Sequence, residues 1–399
     1  MLTSSLVTLA LALPFTIAQN LSVPSTWRDP STSISRSDRV SIARNCINTL
    51  TAVLDTDTGS FSGLGYWQDA NVLSAMANLD YFTKSTTNRH AVTDSLNAAF
   101  GLYTDYDQYG YNDDAMWWAT AAYYGYRAYD DPNLLNHAIA TWQHVSNYVI
   151  TASDASSGTQ PNKDFPIEGS CDGETTVGGV FWRPSSSDTS VNSITTGLYI
   201  ALSAYLASTT KNSTYTDAAI LSANFIKTTN MNSEDLVLDT IDAQDCTRSS
   251  SSWLFTYNSG KYIEGLSVLA FVTGDHSWTS LMLDVVAAAT KAPAWEGSDG
   301  IITEGADVTE DNDGIGFKAV FIRGLAEAWS RNSGNTALRA LIRSYTNVQY
   351  NALLDLASNS SSSSTWYSPA WEGPGPTSFI VWGQLAAVDV LVSAVSVNS

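Results

Sequence analysis

The stretch YNDDAMWW places two adjacent carboxylates, Asp113 and Asp114, ahead of two adjacent tryptophans, Trp117 and Trp118. A pair of carboxyl groups is what cleavage of a glycosidic bond needs: one protonates the leaving oxygen, the other attacks the anomeric carbon or activates water. Like charges this close raise one of the two pKa values, which sets a protonated acid beside an ionised partner. The same residues have a plainer use. Asn112 or Asp113 suits a helix N-cap, and aspartate in a first helical turn complements the helix dipole. The two uses are compatible. Neighbours inside a regular helix diverge by about 100°, but at a helix start two successive side chains can reach into one cavity.

Binding a sugar also takes apolar ring faces and amides. The chain has 13 Trp and 19 Tyr. Tyr66, Trp67, Tyr111, Trp182, Trp253, Tyr257, Trp366 and Trp371 fall at expected helix starts or in long loops. Core packing explains any one of them; their clustering with Asn192, Asn258 and Asp313 points to a carbohydrate. Asp164, Glu168, Asp172 and Glu174 lie in a loop and either line a cleft or are solvated, while Asp311 and Asp313 resemble a second cap. The chain has no Ser-His-Asp order, no phosphate loop and no metal motif, and His90, His137, His144 and His276 are scattered. No metal and no cofactor is therefore expected.

Helical periodicity dominates the elements that must hold these residues. It predicts twelve helices, at roughly 36–56, 66–84, 89–106, 112–129, 131–152, 191–209, 214–229, 257–273, 276–291, 313–331, 335–357 and 377–396. Six consecutive hairpins suggest an all-α fold, an (α/α)6 barrel with six inner helices ringed by six outer ones. A solenoid competes, but no fixed repeat length emerges. The even-numbered helices begin with polar, aromatic or glycine-rich signatures: GYWQDAN, YNDD, SVNSITTG, FTYNSGKYIEG, DNDGIGFK and GPTSF. If these line the ring, their N-termini converge at one rim. Residues 153–190 and 231–256 are long polar connections. DLVLDTID (235–242) alternates as a short strand or hairpin, GIITEG (300–305) as another, and SNSSSSST (358–365) reads as a flexible loop. The last helix reads as amphipathic, broken by Gln384 and Asp389.

Composition narrows the setting. A formal charge of −20 disfavours nucleic acid and anionic membrane surfaces as partners. Residues 1–18 carry no charged side chain and an apolar run from Leu6 to Ile17, too short for a membrane span. They read as a signal peptide with the mature start near Gln19, leaving 19–399 as one catalytic domain. Secretion agrees with sequons at Asn20, Asn212 and Asn359. The C-terminal region lacks the features of a lipid-anchor signal, so a released, extracellular protein without a membrane anchor is expected, as a monomer. Of the three cysteines, Cys171 and Cys246 lie in turn-rich segments and are expected to pair; Cys46 lies in a helical pattern as a small core residue.

At these residues the chain resembles glycoside hydrolase family 76, the endo-α-1,6-mannanases of bacteria and fungi. Five stretches match that pattern in order: YNDDAMWW, GGVFWRP, SVNSITTGLYIALSAYLA, FTYNSGKYIEGLSVLAFVTGD and GFKAVFIRGLA. The resemblance implies an (α/α)6 barrel, a retaining mechanism with Asp113 as nucleophile and Asp114 as general acid/base, and a fungal secreted member acting on α-mannan. It implies substrate contacts from Trp182, Asn192, Asn258 and Asp313, and together with the aromatic clustering the expected substrate-binding set is Trp67, Tyr111, Trp118, Trp182, Asn192, Tyr257, Asn258, Asp313 and Lys318. Asn112, Ala115, Met116 and IGFKA depart from the usual pattern without touching the aspartates. Three activities remain open: hydrolysis of α-1,6-mannan backbone, transglycosylation of wall mannan or anchor glycans, and mannan binding without turnover.

Overall fold

The computed structural model describes residues 20–309, 312–360 and 364–399; the expected signal segment, Gln19 and Asp311 lie outside the described residues. The helices among them are α1 (Arg36–Thr51), α2 (Tyr66–Thr83), α3 (Arg89–Leu102), α4 (Asn112–Tyr129), α5 (Pro132–Ser146), α6 (Ala152–Ser157), α7 (Ser193–Thr210), α8 (Ser213–Thr229), α9 (Thr256–Thr273), α10 (His276–Ala289), α11 (Gly314–Arg331), α12 (Thr336–Asp355) and α13 (Val381–Val397). The packing closes a ring. Helix α2 contacts α4, then α4 contacts α7, α7 contacts α9, α9 contacts α11, α11 contacts α13, and α13 returns to α2. Around them α1, α3, α5, α8, α10 and α12 form the outer layer. This is the expected barrel of six hairpins, with α6 as an added turn. The predicted helix over 131–152 instead stops at Ser146, and the one over 377–396 starts at Val381.

The inner helices are buried almost all round, as a helix enclosed by others must be. In α7 the buried run is unbroken from Ser193 to Ala207. Helices α9 and α11 approach most closely, and two glycines permit it. A Cβ on Gly260 would lie 2.5 Å from the Phe321 Cα, and one on Gly324 would lie 2.1 Å from the Gly260 carbonyl oxygen. Helix α13 is not amphipathic either. Gln384 is buried and spans the 365–367 segment, accepting from the Tyr367 N–H (3.2 Å) and donating to the Thr365 carbonyl (3.1 Å). Its polarity therefore breaks nothing.

A polar column runs through the ring. Lys261 pairs with Glu264 at 2.8 Å, and Tyr205 donates to the same glutamate at 2.9 Å, as does Tyr124. Arg323 pairs with Asp389 at 3.1 Å and donates to Asn71. Glu327 is held between Arg127 (3.0 Å) and Arg331 (2.7 Å), and the two guanidinium groups keep its carboxyl at about 2. These residues come from all six inner helices, so the charges cross-link the ring. Removing one member would leave an unpaired buried charge, at a cost of roughly 3–5 kcal/mol.

Short antiparallel pairs decorate the barrel: Leu54–Asp55 with Ser60–Phe61, Ser170–Cys171 with Glu174–Thr175, Ser190–Asn192 with Thr240–Asp242, and Ser358–Ser360 with Thr365–Tyr367. DLVLDTID supplies a strand as expected. GIITEG forms only an isolated bridge between Ile302 and Glu296. The ends of SNSSSSST pair as a hairpin, which corrects the loop reading; residues 361–363 lie outside the described residues. Cys171 and Cys246 are joined in a disulfide, and Cys46 is buried and free. Among the described residues no helix is long and apolar enough to cross a membrane.

Candidate active site

The two helix layers begin differently. Outer helices α1, α5, α8, α10 and α12 each start on a side-chain cap, from Ser35, Asp131, Asn212, Asp275 and Asn335. Of the inner helices only α7 does, where the Asn192 Oδ1 accepts from the Thr195 N–H at 3.1 Å. The polar residues that open α4 and α11 make no capping bond: Asn112 and Asp113 lie inside the first turn of α4 rather than at its cap, and Asp313 stands at the N-cap of α11 with its carboxylate turned to another partner. The N-cap of α4 is Tyr111, with no capping side-chain bond. Asn112 donates to the Phe181 carbonyl (2.8 Å) and takes the Trp182 carbonyl on its own N–H (2.8 Å), tying the GGVFW segment to the helix start. Asp113 and Asp114 are thereby placed in the first turn and line a cleft of about 730 Å³ at this rim.

The two carboxyls have different surroundings. Asp113 accepts from the Trp182 indole N–H at 3.0 Å through Oδ2, and from the Asp114 backbone N–H at 3.0 Å through Oδ1. Burial raises its pKa to about 7, and these two donors limit the rise. Asp114 accepts no hydrogen bond among the described residues. Burial, followed by the charges of Asp113, Asp313 and Asp107, raises it to about 8. Donors stabilise the ionised form of a carboxyl, and desolvation without donors stabilises the neutral form. The surroundings therefore favour the charge on Asp113 and the proton on Asp114.

Aromatic rings build the walls. Trp67 donates its indole N–H to Asp313 Oδ1 at 2.9 Å and lies against Trp117 (centroids 5.6 Å apart) and Phe317 (5.9 Å). Gly316 makes room for it, since a Cβ there would lie 2.7 Å from the Trp67 ring. Tyr257 stacks on Phe317 at 3.7 Å, and Tyr111 packs beside Trp182 at 5.0 Å. Asp239 lines the cleft and accepts from the side chains of Asn258 (3.0 Å) and Thr240 (3.0 Å). Burial raises its pKa. Asp242, Ser249 and Trp253 line the same cleft, and Arg248 is its one basic lining residue among those described.

The structure brings Asp113, Asp114, Trp67, Tyr111, Trp182, Asn192, Tyr257 and Asp313 to one cavity. It withholds three others. Trp118 is fully buried and donates to the Tyr66 carbonyl at 2.9 Å, because its helical position turns it outward from the ring; Trp117 faces the cleft instead. Asn258 is buried behind Asp239. Lys318 is buried beneath the rim, donating to the carbonyls of Glu304 (2.7 Å), Gly305 (3.1 Å) and Pro369 (2.5 Å), with burial lowering its ammonium to about 7. It straps two loops together and has no access to a ligand. Asp164, Glu168, Asp172 and Glu174 are also outside the cleft lining. Sequence reasoning missed Asp239, Asp242, Arg248 and Phe317. Acidic residues inside the alternating DLVLDTID strand were the available signal for the first two.

A family model described as glycosyl hydrolase family 76 matches residues 164–395, a span that begins after the aspartate pair. No curated protein matches the chain in sequence at a significant level. Among solved structures, the chain is similar to an inactive variant of the α-1,6-mannanase of Salegentibacter sp. in complex with α-1,6-mannotriose, at TM-score 0.75 and 18% identity, covering 90% of this chain and 100% of that one. It is also similar to Dfg5 from Chaetomium thermophilum in complex with glucosamine, at TM-score 0.71 and 16% identity, covering 92% of each chain. The Lin0763 protein of Listeria innocua gives TM-score 0.71 at 17% identity, covering 89% of this chain and 96% of that one. With more than half of its length matched by the family model and the helical barrel of these structures reproduced, the chain belongs to glycosyl hydrolase family 76.

Proposed function

We propose that this protein is a retaining, endo-acting glycoside hydrolase that cleaves α-1,6-mannosidic bonds in mannan backbone. The observation that carries the reading is the asymmetry of the aspartate pair. Asp113, with two N–H donors, is equipped to attack the anomeric carbon. Asp114, half-buried at the cleft and without donors, is equipped to protonate the leaving oxygen. In this scheme Asp113 forms a bond to the sugar as the glycosidic bond breaks and Asp114 gives up its proton. Asp114 then takes a proton from the water that releases the sugar with its original anomeric configuration. Asp313, with Trp67, and the pair Trp182 and Tyr111 hold sugar rings against the cleft walls. The likeness to a mannanase bound to α-1,6-mannotriose supports the substrate class.

The test is a digest of unbranched α-1,6-mannan with the first product followed by NMR. The expected product is the α-anomer, and Asp113→Asn should abolish its release. Equal product from wild type and variant, or a β-anomer first, rejects the assignment. A second reading is transfer of the sugar to another sugar hydroxyl by the same residues; long transfer products in place of short oligosaccharides would select it. We further propose that the protein is secreted and acts as a monomer. Exposure of Asn20, Asn212 and Asn359 is what glycan attachment on the secretory route requires.

A further inference from the structure

We propose that Trp253, held out by the disulfide-tethered loop 243–253, is an outlying sugar platform that selects for longer chains. The proposal rests on the mannan reading of the cleft. Trp253 is 53% exposed and lines the cleft. Tyr109 is the only other large exposed apolar side chain to do so among the described residues. A single exposed hydrophobic residue is ordinary, but this one begins a track of rings. From Trp253 the centroid steps are 6.4 Å to Phe255, 5.4 Å to Phe317, 5.9 Å to Trp67 and 5.6 Å to Trp117. Trp117, Trp67, Phe317 and Trp253 line the cleft that holds Asp113 and Asp114, with Phe255, outside the lining, packed between Phe317 and Trp253, so a chain whose reacting sugar sits at the pair can extend along these rings to Trp253.

The loop that leads to this ring is tied down at several points. Cys246 is bonded to Cys171 on the 170–175 hairpin. The Arg248 guanidinium donates to Asn230 (3.0 Å) and pairs with Asp172 on the same hairpin (3.4 Å). Backbone bonds from Asp242 N–H to the Thr247 carbonyl (2.8 Å) and from Ser249 N–H to the Thr240 carbonyl (3.0 Å) fold the loop onto the Thr240–Asp242 strand that follows Asp239. A platform fixed before binding loses less entropy when it takes a ligand. The disulfide is thus a positioning element for Trp253.

The experiment compares steady-state kinetics of wild type, Trp253→Ala and Cys171→Ser/Cys246→Ser on α-1,6-mannotriose and on long unbranched α-1,6-mannan. For Trp253→Ala, kcat/KM on the polymer should fall roughly three- to tenfold, the worth of one aromatic contact, through KM with kcat retained. The value on mannotriose should not change. The double serine variant should show the same selectivity for the polymer. Equal loss on both substrates, or no loss on the polymer, overturns the proposal while leaving the mannan reading standing. A wild-type protein inert on both substrates removes the mannan reading and this proposal with it.

Discussion

Replacing Asp114 by Asn should make the protein more stable at neutral pH while abolishing catalysis. Folding raises the Asp114 pKa from 3.8 to about 8. Between those values the unfolded chain carries an ionised Asp114 and the folded protein keeps the proton. The folded state then binds more protons than the unfolded, so stability falls as pH rises across that window. Each unit is worth about 1.4 kcal/mol, which at pH 7 amounts to about 4 kcal/mol if Asp114 bears the whole effect. Asp113 shares the burden, so the recoverable part is about 2–4 kcal/mol. Asparagine has nearly the same shape and never ionises. At about 2.1 cal/mol/K per residue, a chain of 399 residues has an unfolding entropy near ~0.8 kcal/mol/K. The expected gain in Tm is therefore about 2–5 °C at pH 7, shrinking to nothing near pH 4. Thermal unfolding of wild type and Asp114→Asn across pH 4–8 is the assay. Parallel Tm curves over that range would refute the claim that Asp114 is held neutral by its surroundings. The idea follows a general expectation that active sites store destabilised groups.

The remaining predictions concern the supports of the pair. Trp182→Phe removes a donor to a charged Asp113, which lets its pKa rise further; kcat/KM should fall roughly 10- to 100-fold, and the acidic limb of the pH–rate profile should move to higher pH. An unmoved acidic limb would disconnect the indole from the nucleophile. Lys318→Met leaves three carbonyl groups of the 304–305 and 369 segments without their donor. The expected loss is about 3 kcal/mol or more in denaturant unfolding, with mannan affinity changed only as far as the rim loosens. A variant as stable as wild type would return Lys318 to the list of candidate ligands.

Much of this protein could be read from one dimension. The helices repeat a periodicity set by local backbone geometry, so their number and hairpin order emerge from apolar spacing. The aspartate pair was visible because adjacency is itself a sequence property. Cys171 and Cys246 were separable from Cys46 by the polarity of their neighbours. Tertiary structure decided the rest, because it depends on which side of a helix faces the ring and on what lies across it. Trp117 and Trp118 are indistinguishable in sequence, yet one helical step of about 100° sends the first to the cleft and the second into the wall. Lys318 follows Phe317 by one residue and is buried where Phe317 lines the cavity. The apparent caps at Asn112, Asp113 and Asp313 are released from capping by partners far along the chain: Phe181 for Asn112, Trp182 for Asp113 and Trp67 for Asp313. The physical basis for telling the two neighbouring carboxyls apart was likewise beyond the residues themselves, where only the family resemblance assigned roles, since it turns on two N–H donors to Asp113 and none to Asp114. Local order determined the residues available for chemistry; long-range packing determined which of them face the cleft and in what ionic form.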